Sequence, residues 1–191
     1  DEVAEIRRAV GLAERGFQYL MAILTPRITE LELAHELEHA MRRLGAAGVS
    51  FPPIVAAGDR AALPHYRPGD RPISSDPLLL IDWGVNTPRG YKSDLTRTLL
   101  VGGKKARFEK VYTAVLEAQL AAIAAIRPGV RCAEVDQIAR EVIAKAGFGK
   151  YFDHGLGHGV GLHLPELPRF SQSSQAVLQP GMGVTVAPGI Y

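Results

Sequence analysis

The stretch Leu78–Val101 reads LLLIDWGVNTPRGYKSDLTRTLLV, and it contains two short apolar segments that each carry an aspartate at one end. Four apolar residues run straight into Asp82, which is the pattern of a buried strand that ends on a carboxylate. A turn-rich segment around Pro88 leads to a second strand that begins near Asp94. We expect the two strands to form a hairpin that places Asp82 and Asp94 roughly opposite each other.

The two aspartates need compensation if they lie that close, because neighbouring carboxylates repel each other. Alternation gives the second strand two faces, formed by Asp94, Thr96 and Thr98 and by Leu95, Leu99 and Val101. A shared proton, a basic partner such as Arg97 or a bound cation would relieve the repulsion. The alternative is one surface aspartate and one aspartate in an ordinary ion pair.

The composition is that of a globular protein of one large domain or two small ones. The chain has 191 residues, of which 47% are hydrophobic and 22% charged, and its net charge is +2. Basic residues form no run, so nothing indicates a nucleic-acid partner. The single cysteine, Cys132, excludes an internal disulfide and favours a reducing compartment. With no apolar run of about 18 residues and no signal-peptide pattern, we expect a cytoplasmic protein without a membrane contact.

Two helices are predicted before the central hairpin. Apolar residues at helical spacing give a long first helix that ends before Pro26. Thr29 and Glu32 have the spacing of a capping box, so the second helix begins there. Gly45 is the residue expected to end it.

The helical pattern returns after the hairpin, at a constant offset of 102 residues from the first pair. A third helix is predicted over Phe108–Ile126 and a fourth over Val135–Ala146, closed by Gly147. The matching positions are Pro26 and Pro128, Ile28 and Val130, Leu33 and Val135, Met41 and Ile143, and Gly45 and Gly147. Strands are predicted at Phe51–Ala57 and at Met182–Val186. This repetition predicts an α+β fold of two helix-helix-strand-strand halves, about 1–103 and 104–191, with helices on the outer face of a curved, mostly antiparallel sheet.

Two histidine-containing segments are candidates for chemistry. In His154–His163, glycines alternate with other residues, which argues against a helix and would let a ligand approach the backbone. A satisfied core histidine is the equal alternative there. His35 and His39 form an H-E-x-x-H pattern on the second helix. They lie off its apolar face, so we predict that they face solvent and bind no zinc.

Several stretches together resemble the pita-bread metallopeptidases, which include prolidase, aminopeptidase P, creatinase and methionine aminopeptidase. The similarity covers most of the chain and rests on SFPPIVAAGDRAALPHY, LLLIDWG, GYKSDLTRT, HGLGHGVGL and LQPGMGVTVAPGIY. It implies a single pita-bread domain over residues 1–191, without the N-terminal domain that often precedes it and ending before the last strands of the fold.

The resemblance implies a set of site residues. Asp82, Asp94 and His158 correspond to metal ligands, and His65 to a histidine that binds substrate or stabilises the transition state. The cations implied are manganese, cobalt, iron or zinc, and the substrate is a peptide of the Xaa-Pro type. A homodimer is compatible with the resemblance and is left open.

The chain also departs from the family pattern. Ala187 occupies the position of a glutamate ligand, and Pro165 that of a second substrate-binding histidine. His163 replaces an acidic residue and is a candidate catalytic group that assists the site. A further bridging glutamate is expected in a strand after residue 191. These departures predict at most one tightly bound cation and impaired or lost hydrolysis, the alternatives being an active enzyme with an atypical or mononuclear site and a non-catalytic peptide- or protein-binding module.

Overall fold

The computed structural model describes residues 1–75, 78–101 and 106–191. Within these ranges it contains four α-helices and seven short β-strands. Their bounds in chain order are α1 Glu2–Ile23, α2 Glu30–Arg43, β1 Gly48–Val49, β2 Ile54–Ala57, β3 Leu78–Trp83, β4 Val85–Asn86, β5 Leu95–Leu100, α3 Ala106–Ala125, α4 Cys132–Lys145, β6 Gly157–Gly159 and β7 Glu166–Phe170. The strands pair in three antiparallel groups, β1 with β4, β2 with β3 and β5, and β6 with β7. No helix in the described ranges is both long enough and apolar enough to cross a bilayer.

The chain divides into two compact units. One comprises Asp1–Lys104 with Gly161–Leu164, and the other comprises Lys105–Val160 with Pro165–Tyr191. The boundary predicted between the halves, at residues 103 and 104, lies outside the described residues.

The first unit is built around the strand β3, which alternates between a buried and a half-buried face. Leu79, Ile81 and Trp83 are fully buried. Phe17 of α1 stacks on the Trp83 ring with centroids 4.9 Å apart, and the Trp83 indole N–H donates to the Ala13 carbonyl over 3.0 Å. The aromatic pair therefore anchors the first helix to the sheet, and the alternation leaves Asp82 on the other face.

The hairpin of β3 and β5 forms as predicted, but its register differs from the expected one. Asp82 pairs with Thr96 rather than with Asp94. The Ser93 N–H donates to the Val85 carbonyl over 2.9 Å, in the same register. In each of these pairs the two residues are equally far along the chain from Arg89, so the turn is centred there. An Asp82–Asp94 pair would require a turn centred on Pro88. Because the turn is one residue later, the two aspartates are diagonal rather than opposite.

The second unit has its core between two helices and the strands that follow them. The buried apolar residues from α3, α4 and the following segments are Ala118, Ala122, Cys132, Val135, Ala139, Ile143, Phe152, Leu156, Phe170 and Leu178. Small residues line the buried face of α3, so α4 packs closely against it.

The helical repeat is confirmed. The helices α2 and α4 each have 14 residues, and each is followed by a glycine with positive φ, 105° at Gly45 and 88° at Gly147. The closing hydrogen bonds recur at the same offset, because Ala46 N donates to Met41 O as Phe148 N donates to Ile143 O, over 3.0 Å in each case. Only a residue without a β-carbon enters this left-handed conformation at little cost.

The capping box at Thr29 is confirmed as well. The Glu32 N–H donates to the Thr29 hydroxyl over 3.2 Å, and the Thr29 N–H donates to the Glu32 carboxylate over 2.9 Å. The Thr29 hydroxyl also donates to this carboxylate, over 2.9 Å. The two bonds that Thr29 donates to the carboxylate hold the pKa of Glu32 below its usual range, since they stabilise its charged form. At the equivalent position of α4, Arg131 makes no side-chain cap.

Two predicted strands differ from the observed ones. The strand predicted over Phe51–Ala57 begins only at Ile54, because the two prolines before it have no N–H for a ladder. The strand predicted over Met182–Val186 was wrong in extent, since only Val184 forms a β-bridge, to Gly159. Its partner β6 is three residues long and irregular in its pairing with β7, which leaves little regular edge to extend.

Candidate metal and peptide site

Asp82 lies on β3 with its side chain half-buried on the face opposite the core. The Thr96 hydroxyl, directly across the ladder, donates to Asp82 Oδ1 over 3.0 Å. A hydroxyl that donates to a carboxylate stabilises its charged form and limits its orientation.

Asp94 immediately precedes β5 and is half-buried. It is two residues before Thr96, which pairs with Asp82, so by strand alternation Asp94 belongs to the same face and is diagonal to Asp82. The preceding Ser93 is buried, accepts from the Val85 N–H over 3.0 Å and donates to the Ala9 carbonyl over 3.2 Å. These bonds fix the backbone from which the Asp94 side chain projects.

Arg97 was one candidate partner for the two carboxylates. It lies on β5 opposite Ile81, and its guanidinium donates to the Thr96 carbonyl over 2.8 Å. Successive side chains of a strand leave it on opposite faces, so the Arg97 side chain leaves β5 on the face opposite to that of Thr96. Its position in the strand therefore does not direct it towards the carboxylates of Asp82 and Asp94.

His158 is the central residue of β6 in the second unit and is half-buried. Its Nδ1 lies 3.0 Å from the Gly159 carbonyl. A carbonyl only accepts, so in the neutral ring the proton is on Nδ1 and the lone pair is on Nε2. Histidines that bind metals in proteins usually have their other nitrogen bonded in this way.

The remaining predicted site residues are solvent-exposed. His65 lies in the turn after the 3-10 helix Gly58–Ala62, and His163 lies in the segment Gly161–Leu164 that joins the first unit. Pro165 and Ala187 are exposed too. Neither offers a polar side-chain atom.

The two histidines of the H-E-x-x-H pattern face solvent, as predicted. His35 and His39 are exposed, while the buried face of α2 is formed by Glu30, Leu33, Ala34, Leu37, Ala40 and Met41. The helix therefore presents its histidines away from the core.

The contacts of His154 support its structural interpretation. Its Nδ1 is 2.8 Å from the Gly155 carbonyl, so Nε2 accepts a hydrogen bond from the Tyr191 hydroxyl over 3.2 Å. The Phe152 ring meets the imidazole edge-on, with centroids 5.1 Å apart. Each ring nitrogen thus has a protein partner, as in a satisfied core histidine.

Two buried acidic residues were not predicted from the sequence. Glu30 and Asp136 are both fully buried. Glu30 is the first residue of α2, and Asp136 is paired with Arg140 of α4 over 2.6 Å. A signal was present, because each acid is in phase with the apolar residues of its helix, where a carboxylate is unusual.

The donor types fit a divalent cation. Carboxylate oxygens and an imidazole nitrogen are ordinary ligands of manganese, zinc and iron. Within the first unit, Asp82 and Asp94 present two carboxylates on one face. No group of three or more His, Cys, Asp or Glu side chains gathers as a metal cluster in the parts of the chain that the structure describes.

Comparison with known proteins yields a consistent set of relatives. Residues 4–191 match metallopeptidase family M24. The chain is 41% identical over 191 residues to the uncharacterized peptidase YqhT of Bacillus subtilis, covering all of this chain and 54% of that protein. Among solved structures, it resembles an Xaa-Pro dipeptidase from Bacillus anthracis, with 39% identity and a TM-score of 0.95, covering 100% of this chain and 53% of the other.

A prolidase from Pyrococcus furiosus is similar to the same degree, with 41% identity, a TM-score of 0.95, and coverage of 100% of this chain and 56% of the other. These likenesses confirm the predicted α+β pita-bread fold. The chain spans about half the length of the relatives that it matches.

Proposed function

Because this chain belongs to metallopeptidase family M24, we propose that it binds Xaa-Pro peptides beside a single divalent cation and hydrolyses them weakly or not at all. The observation that carries the proposal is the pair of half-buried carboxylates, Asp82 and Asp94, on one face of the β3–β5 hairpin. A pair of acids placed in this way has a chemical use when it holds a cation, since the carboxylates otherwise repel each other.

In this proposal Asp82 and Asp94 supply oxygen ligands, and His158 supplies Nε2. The bonds from Thr96 to Asp82 and from His158 to the Gly159 carbonyl support it, because both set the orientation of a ligand. Manganese, cobalt, iron or zinc suits these donors. When bound, such a cation polarises a peptide carbonyl and lowers the pKa of a coordinated water.

His65 and His163 are proposed to contact the peptide. Both are exposed, and an imidazole offers either a donor or an acceptor to a peptide group. A neutral histidine that donates to the peptide carbonyl would orient it and stabilise negative charge on its oxygen.

The impairment follows from two positions. A methyl group at Ala187 neither binds a cation nor takes up a proton, and Pro165 has neither a polar side chain nor a backbone N–H. Loss of a general acid–base group lowers a rate by about 10²–10⁴. Binding of a peptide is less affected, so a peptide-binding module without turnover is the second candidate function.

The metal part of the proposal is tested by elemental analysis and by titration with Mn²⁺. We expect at most one equivalent per chain, and a marked loss of affinity in Asp82→Asn and in Asp94→Asn. Asp59→Asn is the matched control, because the Asp59 side chain is 83% exposed and pairs with Arg71 in the same unit. Two tightly bound equivalents in the unmodified chain would contradict the single-cation proposal. Equal Mn²⁺ affinity in all four proteins would remove the two aspartates from the site.

A further inference from the structure

The carboxylate of Glu30 is fully buried and yet is not part of the proposed peptide site. Its Oε1 accepts from the Ala57 N–H over 2.8 Å. Its Oε2 accepts from the Tyr66 hydroxyl over 2.6 Å, from Arg60 Nη1 over 3.2 Å and from the Gly69 N–H over 3.3 Å. The four donors, one of which is a charged guanidinium, satisfy the hydrogen bonding of this buried carboxylate and compensate its charge.

These donors all come from one loop, residues 57–69. Ala57 is at its start, Gly69 is at its end, and Arg60 and Tyr66 lie between them. The two inner side chains also bond to each other, since Arg60 Nη1 donates to the Tyr66 oxygen over 2.6 Å. Arg60 Cζ lies 5.4 Å from the centre of the Tyr66 ring. The loop is therefore closed around a single carboxylate.

The loop is tied to the same helix by its backbone. The Leu31 N–H donates to the Gly69 carbonyl over 3.0 Å, and the Glu30 N–H donates to the Arg71 carbonyl over the same distance. A turn within the loop, from the Tyr66 N–H to the Leu63 carbonyl over 3.1 Å, encloses His65. His65 is exposed and directly precedes Tyr66, whose hydroxyl bonds to Glu30.

We propose that Glu30 is a positioning residue, whose carboxylate holds loop 57–69 in one conformation and so presents His65 to the peptide. The inference rests on the proposed function in one respect, that His65 contacts the peptide. Ordering a loop in advance removes an entropic cost from binding, and a displacement of about 1 Å at a reacting group can lower a rate about 10²-fold. Glu30 acts only through His65 and touches no substrate.

Two variants loosen the loop to different degrees. In Glu30→Gln one edge of the side chain becomes an NH₂ group, which faces either the Ala57 N–H or the donors on the other edge, so at least one donor loses its acceptor. Tyr66→Phe removes one hydroxyl and keeps the ring beside Arg60. Glu32→Gln is the matched control, because it removes the same charge in the same turn of α2 and a glutamine still completes the capping box.

The first measurement is amide hydrogen exchange at residues 57 and 69 of the whole chain. We expect exchange to be faster by roughly tenfold or more in Glu30→Gln and Tyr66→Phe, as for the loss of one hydrogen bond to a charged group. Exchange should be unchanged in Glu32→Gln. Equal exchange in all these proteins would overturn the inference.

The second measurement is the affinity for the dipeptide Ala-Pro, in a double-mutant cycle with His65→Ala. We expect Tyr66→Phe to weaken binding when His65 is present and to have no further effect when His65 is absent, since the loop acts through that histidine. Additive losses would overturn the positioning role. If the unmodified chain binds no Ala-Pro while exchange responds as expected, the proposed function fails and the anchoring of the loop by Glu30 stands.

Discussion

The carbonyl oxygen of Thr185 lies against Gly157, closer than a β-carbon at residue 157 would tolerate. The same holds for the Leu167 carbonyl at Gly159, and the Phe170 carbonyl would be 2.5 Å from a β-carbon at Gly155. The sequence suggested that these alternating glycines admit a ligand. The structure shows that they admit the backbone of the chain itself, which packs closely on either side of β6.

Gly157→Ala should therefore destabilise the protein by about 1–3 kcal/mol, as for overpacking of a close contact. Gly11→Ala is a matched control, because Gly11 lies within α1 and nothing comes within 4 Å of an added β-carbon. There the same change should raise helix stability by about 0.5–1 kcal/mol. Urea unfolding followed by circular dichroism measures the free energy of unfolding of both variants. If Gly157→Ala were no less stable than Gly11→Ala, the approach of the Thr185 carbonyl to Gly157 would not limit the residue at that position.

Asp136→Ala should be among the most damaging substitutions in the second unit. Asp136 is fully buried, accepts two hydrogen bonds from Arg140 over 2.6 and 3.3 Å, and accepts from the Leu156 N–H over 2.9 Å. Removing one partner of a buried ion pair leaves an uncompensated charge and costs about 3–5 kcal/mol. Glu141→Ala on the same helix is the control, because that side chain is exposed and accepts a hydrogen bond from Gln137 over 3.0 Å. A loss of stability as small as the control's would show that the Phe152 and His154 carbonyls, to which Arg140 also donates, are enough to stabilise its charge.

We expect the free energy of unfolding to depend on pH through Tyr66. Burial raises the pKa of Tyr66 above its ordinary value of 10.0, and its hydrogen bond to Glu30 acts in the same direction. A raised pKa means that the folded protein holds this proton more tightly than the unfolded chain does. This contribution is complete below pH 10 and is lost as the pH rises through the folded pKa.

We therefore expect a decline in the free energy of unfolding above pH 10 that is smaller in Tyr66→Phe than in the unmodified chain. Tyr112→Phe is the control, since Tyr112 is 51% exposed. Denaturant titrations between pH 8 and pH 11, a range of about one to two units around the tyrosine pKa, make the comparison. Parallel pH profiles for the unmodified chain and Tyr66→Phe would contradict the predicted linkage.

The double variant His35→Ala, His39→Ala should bind Mn²⁺ and Zn²⁺ as the unmodified chain does. Both histidines are exposed on α2, and alanine favours a helix more than histidine does. The free energy of unfolding should change by less than about 1 kcal/mol. Loss of a zinc equivalent in the double variant would revive the zinc-protease interpretation of this motif.

Turnover of Ala-Pro or Gly-Pro should be weak or undetectable with added Mn²⁺ or Co²⁺. Ala187→Glu combined with Pro165→His should raise the affinity for Mn²⁺, because it adds one carboxylate and one imidazole. The Ala187 N–H donates to the Leu156 carbonyl over 2.8 Å, and a side-chain change leaves this bond in place. Ala187→Gln with Pro165→His is the control for size without charge. Hydrolysis by the unmodified chain at ordinary enzyme rates, about 1–10³ per second, would show that the site is not impaired.

Much of the local structure was predictable from residue order. The capping box at Thr29 and the glycines after α2 and α4 depend on contacts within a few residues. The repeat at an offset of 102 was visible because each helix in it has these local signals. The exposure of the α2 histidines followed from helical phase in the same way. Asp82 and Asp94 were assigned to one hairpin because an apolar run with an acid at its end is a local pattern.

The sequence by itself determined the four helices, the central hairpin and the residue types from which a cation site can be built, because caps, turns and periodicity act over a few residues. Only the tertiary structure decided the pairing of Asp82 with Thr96, since a turn centred one residue later moves the opposite residue by two positions. It also decided that Glu30 holds the loop of His65, because the donors to that carboxylate come from residues up to 39 positions away in the chain. Contacts at such separations depend on how the strands and helices pack, and no local pattern in the sequence specifies them.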